Sequence, residues 1–257
     1  MPLSTAHLKN SAKQIIRHSK PSAIYVGAVY CILNIILSLL SSRLINAGFT
    51  AARYEQFVAH MRDEHWEYAL RLLWDMMPGP GAVAIYLLLE ASISVVSVGF
   101  VIFLLRTVRR ASPSYGNLLD GFGFIWRILL LDILVYLLIF LWSLLLFIPG
   151  IIASYSYCLS TFLLIDHPEY SVLDCIRESK RMMQGHKTER FLLDISFIGW
   201  VFLISLSSVV PGLGILAAVQ IWTVPYMNMT FTLYYEILRT GSVEAAMPGS
   251  VNDTFNL

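Results

Sequence analysis

The stretch IWRILLLDILVYLLIFLWSLLLFIPGIIASYSY, residues 125–157, decides the fold. Beyond Arg127 its only charged side chain is Asp132. About 20 apolar residues in a helix are enough to cross the hydrocarbon core of a bilayer. Pro149-Gly150 then interrupts the run, because proline removes a hydrogen bond from the helical ladder. A second apolar run continues to Asp166, so the segment predicts two membrane helices closed into a tight hairpin.

The same length test predicts spans at about 22–45, 82–105, 125–147, 150–166, 191–210 and 213–238. The expected fold is all-α: a polytopic membrane helical bundle of about six transmembrane helices, arranged as three helical hairpins with amphipathic surface helices. Composition agrees. Hydrophobic residues make up 57% of the chain and charged residues 14%, with a mean hydropathy of +0.66. A soluble domain carries roughly 25% charged residues, so this chain has too few polar side chains to cover a water-facing surface. Residues 1–21 read as a basic N-terminal segment, 22–240 as the membrane domain and 241–257 as a tail.

Lysine and arginine set the orientation. Fourteen of the 18 lie on connections that share a side with the N-terminus, whereas Arg43, Arg53, Arg62 and Arg71 lie on the other. Both termini are therefore expected in the cytoplasm. In the N-terminal segment Leu8, Ala12, Ile15 and Ile16 share one helical face, with Lys9, Lys13, Arg17 and Lys20 beside it. That pattern suits a helix on an anionic membrane surface, with lipid headgroups as partners; it equally suits a solvated basic tail. The one sizeable external segment, about 50–77, reads as a single amphipathic helix capped by Thr50. On the cytoplasmic side, Ser171 and Asp174 form a capping box for a helix over about 171–184, with Val172, Ile176 and Met183 on its apolar face. This helix packs beneath the bundle or offers a docking surface to a protein partner.

The chain also repeats itself. Gly123, Leu130-Leu131-Asp132 and Pro149-Gly150 recur 62 positions later as Gly185, Leu192-Leu193-Asp194 and Pro211-Gly212. Spans three–four and five–six thus read as two parallel copies of one hairpin.

Glu90 stands out among residues that could carry chemistry. It lies about eight residues inside span two, roughly 12 Å deep at the rise of an α-helix. An unpaired carboxylate there costs on the order of 2.5–3.5 kcal/mol. Ser94, Asn34 of span one and Gln220 of span six lie at compatible depths, so a shared intramembrane polar site is one expectation. An interhelical hydrogen-bond clamp is the plainer one. Asp132 with Arg127, and Asp194 with Arg190, are expected as interfacial ion pairs that pin helix depth. Pro225 falls within span six beside Tyr226 and Asn228, where it should kink the helix. His60, Glu64 and His65 match no metalloprotease spacing, and Cys31, Cys158 and Cys175 have no metal-ligand or redox spacing. No phosphate-binding loop or nucleophile motif occurs. No catalytic residue, metal or cofactor is expected, and no nucleic-acid partner.

Four stretches, IPGIIASYSY (148–157), DHPEYSVLDCIRESKRMMQGHK (166–187), FLLDISFIGW (191–200) and VPYMNMTFTLYYEIL (224–238), together resemble an uncharacterised bacterial integral membrane protein family, domain of unknown function 975. The resemblance begins near Trp142 and implies a bacterial plasma-membrane protein; it carries no activity and no catalytic residues. The expectation is a non-enzymatic membrane interaction or accessory protein. The alternatives are a small-solute or ion transporter built around Glu90 and, behind it, an intramembrane enzyme.

Overall fold

The computed structural model describes residues 4–209 and 218–241. In chain order its helices are α1 (Thr5–His18), α2 (Ala23–Asn46), α3 (Ala51–Arg62), α4 (Trp66–Met76), α5 (Pro80–Val108), α6 (Asn117–Asp120), α7 (Ile125–Leu145), α8 (Phe147–Tyr157), α9 (Ser160–Asp166), α10 (Val172–Met182), α11 (Lys187–Ile195), α12 (Ile198–Val209) and α13 (Ala218–Thr240). Among the described residues there is no strand. Four stretches among the described residues are long and apolar enough to cross a membrane: Ala23–Arg62, Pro80–Val108, Tyr115–Leu145 and Phe147–Asp166. Along α7, Ile133, Tyr136, Phe140 and Leu144 form an exposed stripe. Exposed apolar area on this scale is stable against acyl chains and not against water.

The central hairpin turns slightly earlier than Pro149-Gly150 suggests. Leu146 is extended (φ −163°), and Pro149 sits in the first turn of α8, where its missing N–H removes no intrahelical bond. Gly150 lets α8 close on α7, since a Cβ there would lie 2.0 Å from Ser143 Oγ.

The segment expected as span five is divided between α11 and α12. Its break at Ser196 and Phe197 has a visible cause. The Ser196 carbonyl accepts a 2.8 Å hydrogen bond from Lys9 Nζ, and the wholly buried Phe197 ring packs edge-on against Tyr226 and Phe231. The counterpart in the repeat, α7, is unbroken, while Pro211-Gly212 lies outside the described residues. Helix α13 covers most of span six but carries Gln220, Thr223, Pro225, Asn228, Thr230, Thr232 and Glu236, and it is not among the four apolar stretches.

The chain divides into two compact units, residues 32–94 and the remainder. Within 32–94, the segment expected as one helix over about 50–77 is two paired helices. Asp63–His65 separate α3 from α4, with Glu64 at φ 60° and the His65 amide bonded back to the His60 carbonyl. Thr50 caps α3 by accepting from the Arg53 amide at 3.3 Å.

The other unit is organised around the C-terminal half of α5, where nearly every residue from Val95 to Val108 is buried. Helix α1 lies along α13 with Leu8, Ala12 and Ile16 buried. Its apolar face is therefore covered by protein, which corrects the expectation that this face meets lipid. The first turns of α2 run beside the start of α13. A Cβ on Gly27 would lie 2.1 Å from the Pro225 ring, and Cys31 Sγ donates to the Gln220 carbonyl at 3.6 Å.

Helix α10 is anchored by its buried face. The Ser179 hydroxyl donates to the Ser156 carbonyl at 2.9 Å and accepts from the Leu159 amide at 3.1 Å. At its start Ser171 and Asp174 close a capping box, and Gly185 (φ 82°) follows its end. The Ser171 hydroxyl, then its backbone N–H, then Arg177 hold the Asp174 carboxyl below its ordinary value. A carboxyl depressed in the folded state adds stability above its unfolded pKa, about 4, and loses it as pH falls through the folded value. The amides of Asp174 and Cys175 should accordingly lose hydrogen-exchange protection below about pH 4. Asp174→Asn should abolish that pH dependence.

Candidate functional site

Three helix ends meet around one arginine. Arg109 follows α5, Asp166 closes α9, and Glu236 lies one turn before the end of α13. Arg109 grips Asp166 through two parallel bonds, Nη1 to Oδ1 at 2.8 Å and Nη2 to Oδ2 at 2.6 Å. Its Nε donates to Glu236 Oε1 at 2.6 Å. Planar guanidinium matched to carboxylate in this way is among the stronger polar contacts a protein makes. Arg239, one turn after Glu236, donates to Glu236 Oε2 at 2.8 Å. The Tyr235 hydroxyl donates to Asp166 Oδ2 at 2.7 Å, its ring stacked on Phe162.

Burial makes this cluster consequential. Glu236 is 1% exposed, and a lone carboxylate so placed would be strongly disfavoured. Two arginines balance two acids, and each of the four carboxylate oxygens has a protein donor. Burial works against the charge on Arg109, but Asp166 and Glu236 outweigh it and hold its pKa above the ordinary arginine value. The arrangement has the chemistry of a lock: it ties α5, α9 and α13 together with every carboxylate oxygen engaged.

The predicted site residues fall elsewhere. Glu90, Asn34 and Ser94 are half-buried in the unit of residues 32–94, and Gln220 belongs to the other unit. A groove of about 470 Å³ in the first unit is lined by Arg43 and apolar residues including Leu40, Ile85 and Leu89; Glu90 is not among its lining residues. Arg190 pairs with Asp194 at 3.3 Å and lies 3.5 Å over the Phe231 ring. Arg127 fastens two backbone carbonyls. Its Nη1 donates to the Pro168 carbonyl at 2.7 Å and its Nη2 to the Tyr170 carbonyl, which fastens the start of α7 to the loop before α10. Among the described residues no three His, Cys, Asp or Glu side chains gather as metal ligands.

Sequence reasoning missed Arg109 and Glu236, although a signal existed. Glu236 is the only acid between Asp194 and Glu244, set in an apolar helix with Arg239 three residues on.

Residues 144–242 match the family described as Protein of unknown function (DUF975). The DUF975 match covers less than half of the chain and takes in Asp166, Tyr235, Glu236 and Arg239, while Arg109 lies outside it. No curated protein and no solved structure matches the chain. The lock thus joins the DUF975 segment to the end of α5, ahead of it in the chain.

Proposed function

We propose that this is a non-enzymatic integral membrane protein of the bacterial plasma membrane, with both termini cytoplasmic, that acts by engaging anionic lipid headgroups and a protein partner. The observation that carries this reading is the closed state of the Arg109–Asp166–Glu236 cluster. Each of its carboxylate oxygens is engaged by a protein donor. A transport or catalytic carboxylate needs a vacant position for a proton, ion or substrate. The basic elements supply the binding character. Lys13 and Arg17 on α1 are exposed, and so are Arg177, Lys180 and Arg181 on α10, where Leu173 adds an exposed apolar contact for a partner.

A second reading, a small-solute or ion transporter, is supported by one observation: Glu90, Asn34 and Ser94 share one compact unit as half-buried polar residues on apolar helices. Reconstitution separates the two. Purified protein in phosphatidylglycerol liposomes should show no proton or potassium flux above protein-free vesicles, and should retain phosphatidylglycerol over phosphatidylcholine on re-extraction. Protein-dependent flux that Glu90→Gln abolishes would replace the first reading with the second.

A further inference from the structure

The first 54 residues contain no aspartate or glutamate, yet they hold Lys9, Lys13, Arg17, Lys20, Arg43 and Arg53. The cations of α1 are not equivalent. Lys9 is turned inward, donating to the Ser196 carbonyl and lying 3.9 Å over the Phe197 ring. Lys13 and Arg17, one and two turns further on, make no ion pair among the described residues and line a cavity of about 230 Å³. Its remaining lining is apolar or aromatic: Ile16, Ile24 and Trp222. Trp222 continues into an aromatic wall, with ring centroids 5.0 Å from Tyr226 and 6.1 Å from Trp200.

The cavity's place in the chain is informative. Ile24 belongs to the first turn of α2, where the first candidate span begins. Next to it Tyr25 is exposed, as is part of Trp222. Amphipathic aromatic rings at the start of a span mark the level of the headgroups. Two unneutralised cations four residues apart on one helix, over an apolar floor at that level, present one charge pattern: anionic on one side, hydrocarbon on the other. The volume lies below the roughly 300–1,000 Å³ of pockets for whole drug-sized ligands, and suits a phosphate with its glycerol.

We propose that Lys13 and Arg17 clamp the phosphate of an anionic phospholipid, whose glycerol and proximal acyl carbons rest on Ile24 and Trp222. The proposal rests on the reading that the protein works through anionic headgroups, and names the place where it does so. It also gives the inward turn of Lys9 a role, since that contact fixes α1 on the bundle and aims the next two cations outward.

Native mass spectrometry of the full chain in detergent, titrated with short-chain phosphatidylglycerol, phosphatidylcholine or inorganic phosphate, tests it. The wild-type protein should retain phosphatidylglycerol in preference to phosphatidylcholine. Lys13→Gln/Arg17→Gln should weaken phosphatidylglycerol binding by roughly fivefold per cation, about thirtyfold for the pair. Lys13→Arg/Arg17→Lys should restore it. Arg62→Gln/Arg110→Gln, an equal charge change at exposed positions, should leave it within about twofold of wild type. An equal loss in both neutralising pairs, or no loss in the first, would overturn the site while leaving lipid engagement standing. Inorganic phosphate displacing the lipid at equal concentration would make this a free-anion site and overturn the lipid assignment. A wild-type protein indifferent to lipid charge would instead remove the broader reading.

Discussion

Arg109→Met is expected to destabilise the detergent-purified protein by about 3–5 kcal/mol, because it leaves the buried Glu236 and the largely covered Asp166 side chain without their shared cation. For a chain of this length that corresponds to a fall of roughly 10 °C or more in melting temperature. The loss should be strongly non-additive. Adding Asp166→Asn and Glu236→Gln removes the uncompensated charge and should recover much of it, since a buried ion pair contributes little against neutral groups of similar shape. Thermal denaturation of the single and triple variants provides the check. A single variant melting within about 2 °C of wild type would show that the cluster does not hold the helix ends together.

Gly99→Ala should destabilise by about 1–3 kcal/mol, with a sign opposite to helix propensity. Alanine ordinarily improves a helix interior over glycine by roughly 1 kcal/mol. At Gly99, however, a Cβ would lie 2.1 Å from the Leu118 carbonyl oxygen and 2.9 Å from that of Asn117. The approach is reciprocal, for a Cβ on Gly121 would lie 2.2 Å from the Val95 carbonyl oxygen. Backbone faces backbone on both sides, so no side chain can swing away. Gly81→Ala on the same helix meets nothing within 4 Å and is the matched control, expected neutral or stabilising. Chemical unfolding of the two variants should separate them. Equal stability of Gly99→Ala and Gly81→Ala would mean that α5 and the 117–121 segment pass with more room than described.

Much of this architecture was legible in the hydropathy of the chain. Helix α7 follows directly from the run of apolar residues after Arg127, and α10 from Ser171, Asp174 and the spacing of Val172 and Ile176. What the sequence could not show depends on partners remote in the chain. Span five reads as continuous until Lys9, 187 residues earlier, takes the Ser196 carbonyl. Helix α1 has the periodicity of a lipid-facing helix, and only the presence of α13 shows what covers it. Span six illustrates the limit of counting apolar residues: its polar side chains are tolerable because protein surrounds them. The lock was hidden for a related reason. Arg109 counted as one more positive charge on a connection, and nothing local ties it to acids 57 and 127 positions away.

The pairing of two guanidinium groups with two carboxylates has a consequence for electrical sensitivity. One elementary charge carried across a bilayer at 100 mV exchanges about 2.3 kcal/mol with the field. Arg109, Arg239, Asp166 and Glu236 sum to zero, so a rigid displacement of the whole group gains or loses nothing. Movement of these helix ends as a body would therefore add nothing to a gating current.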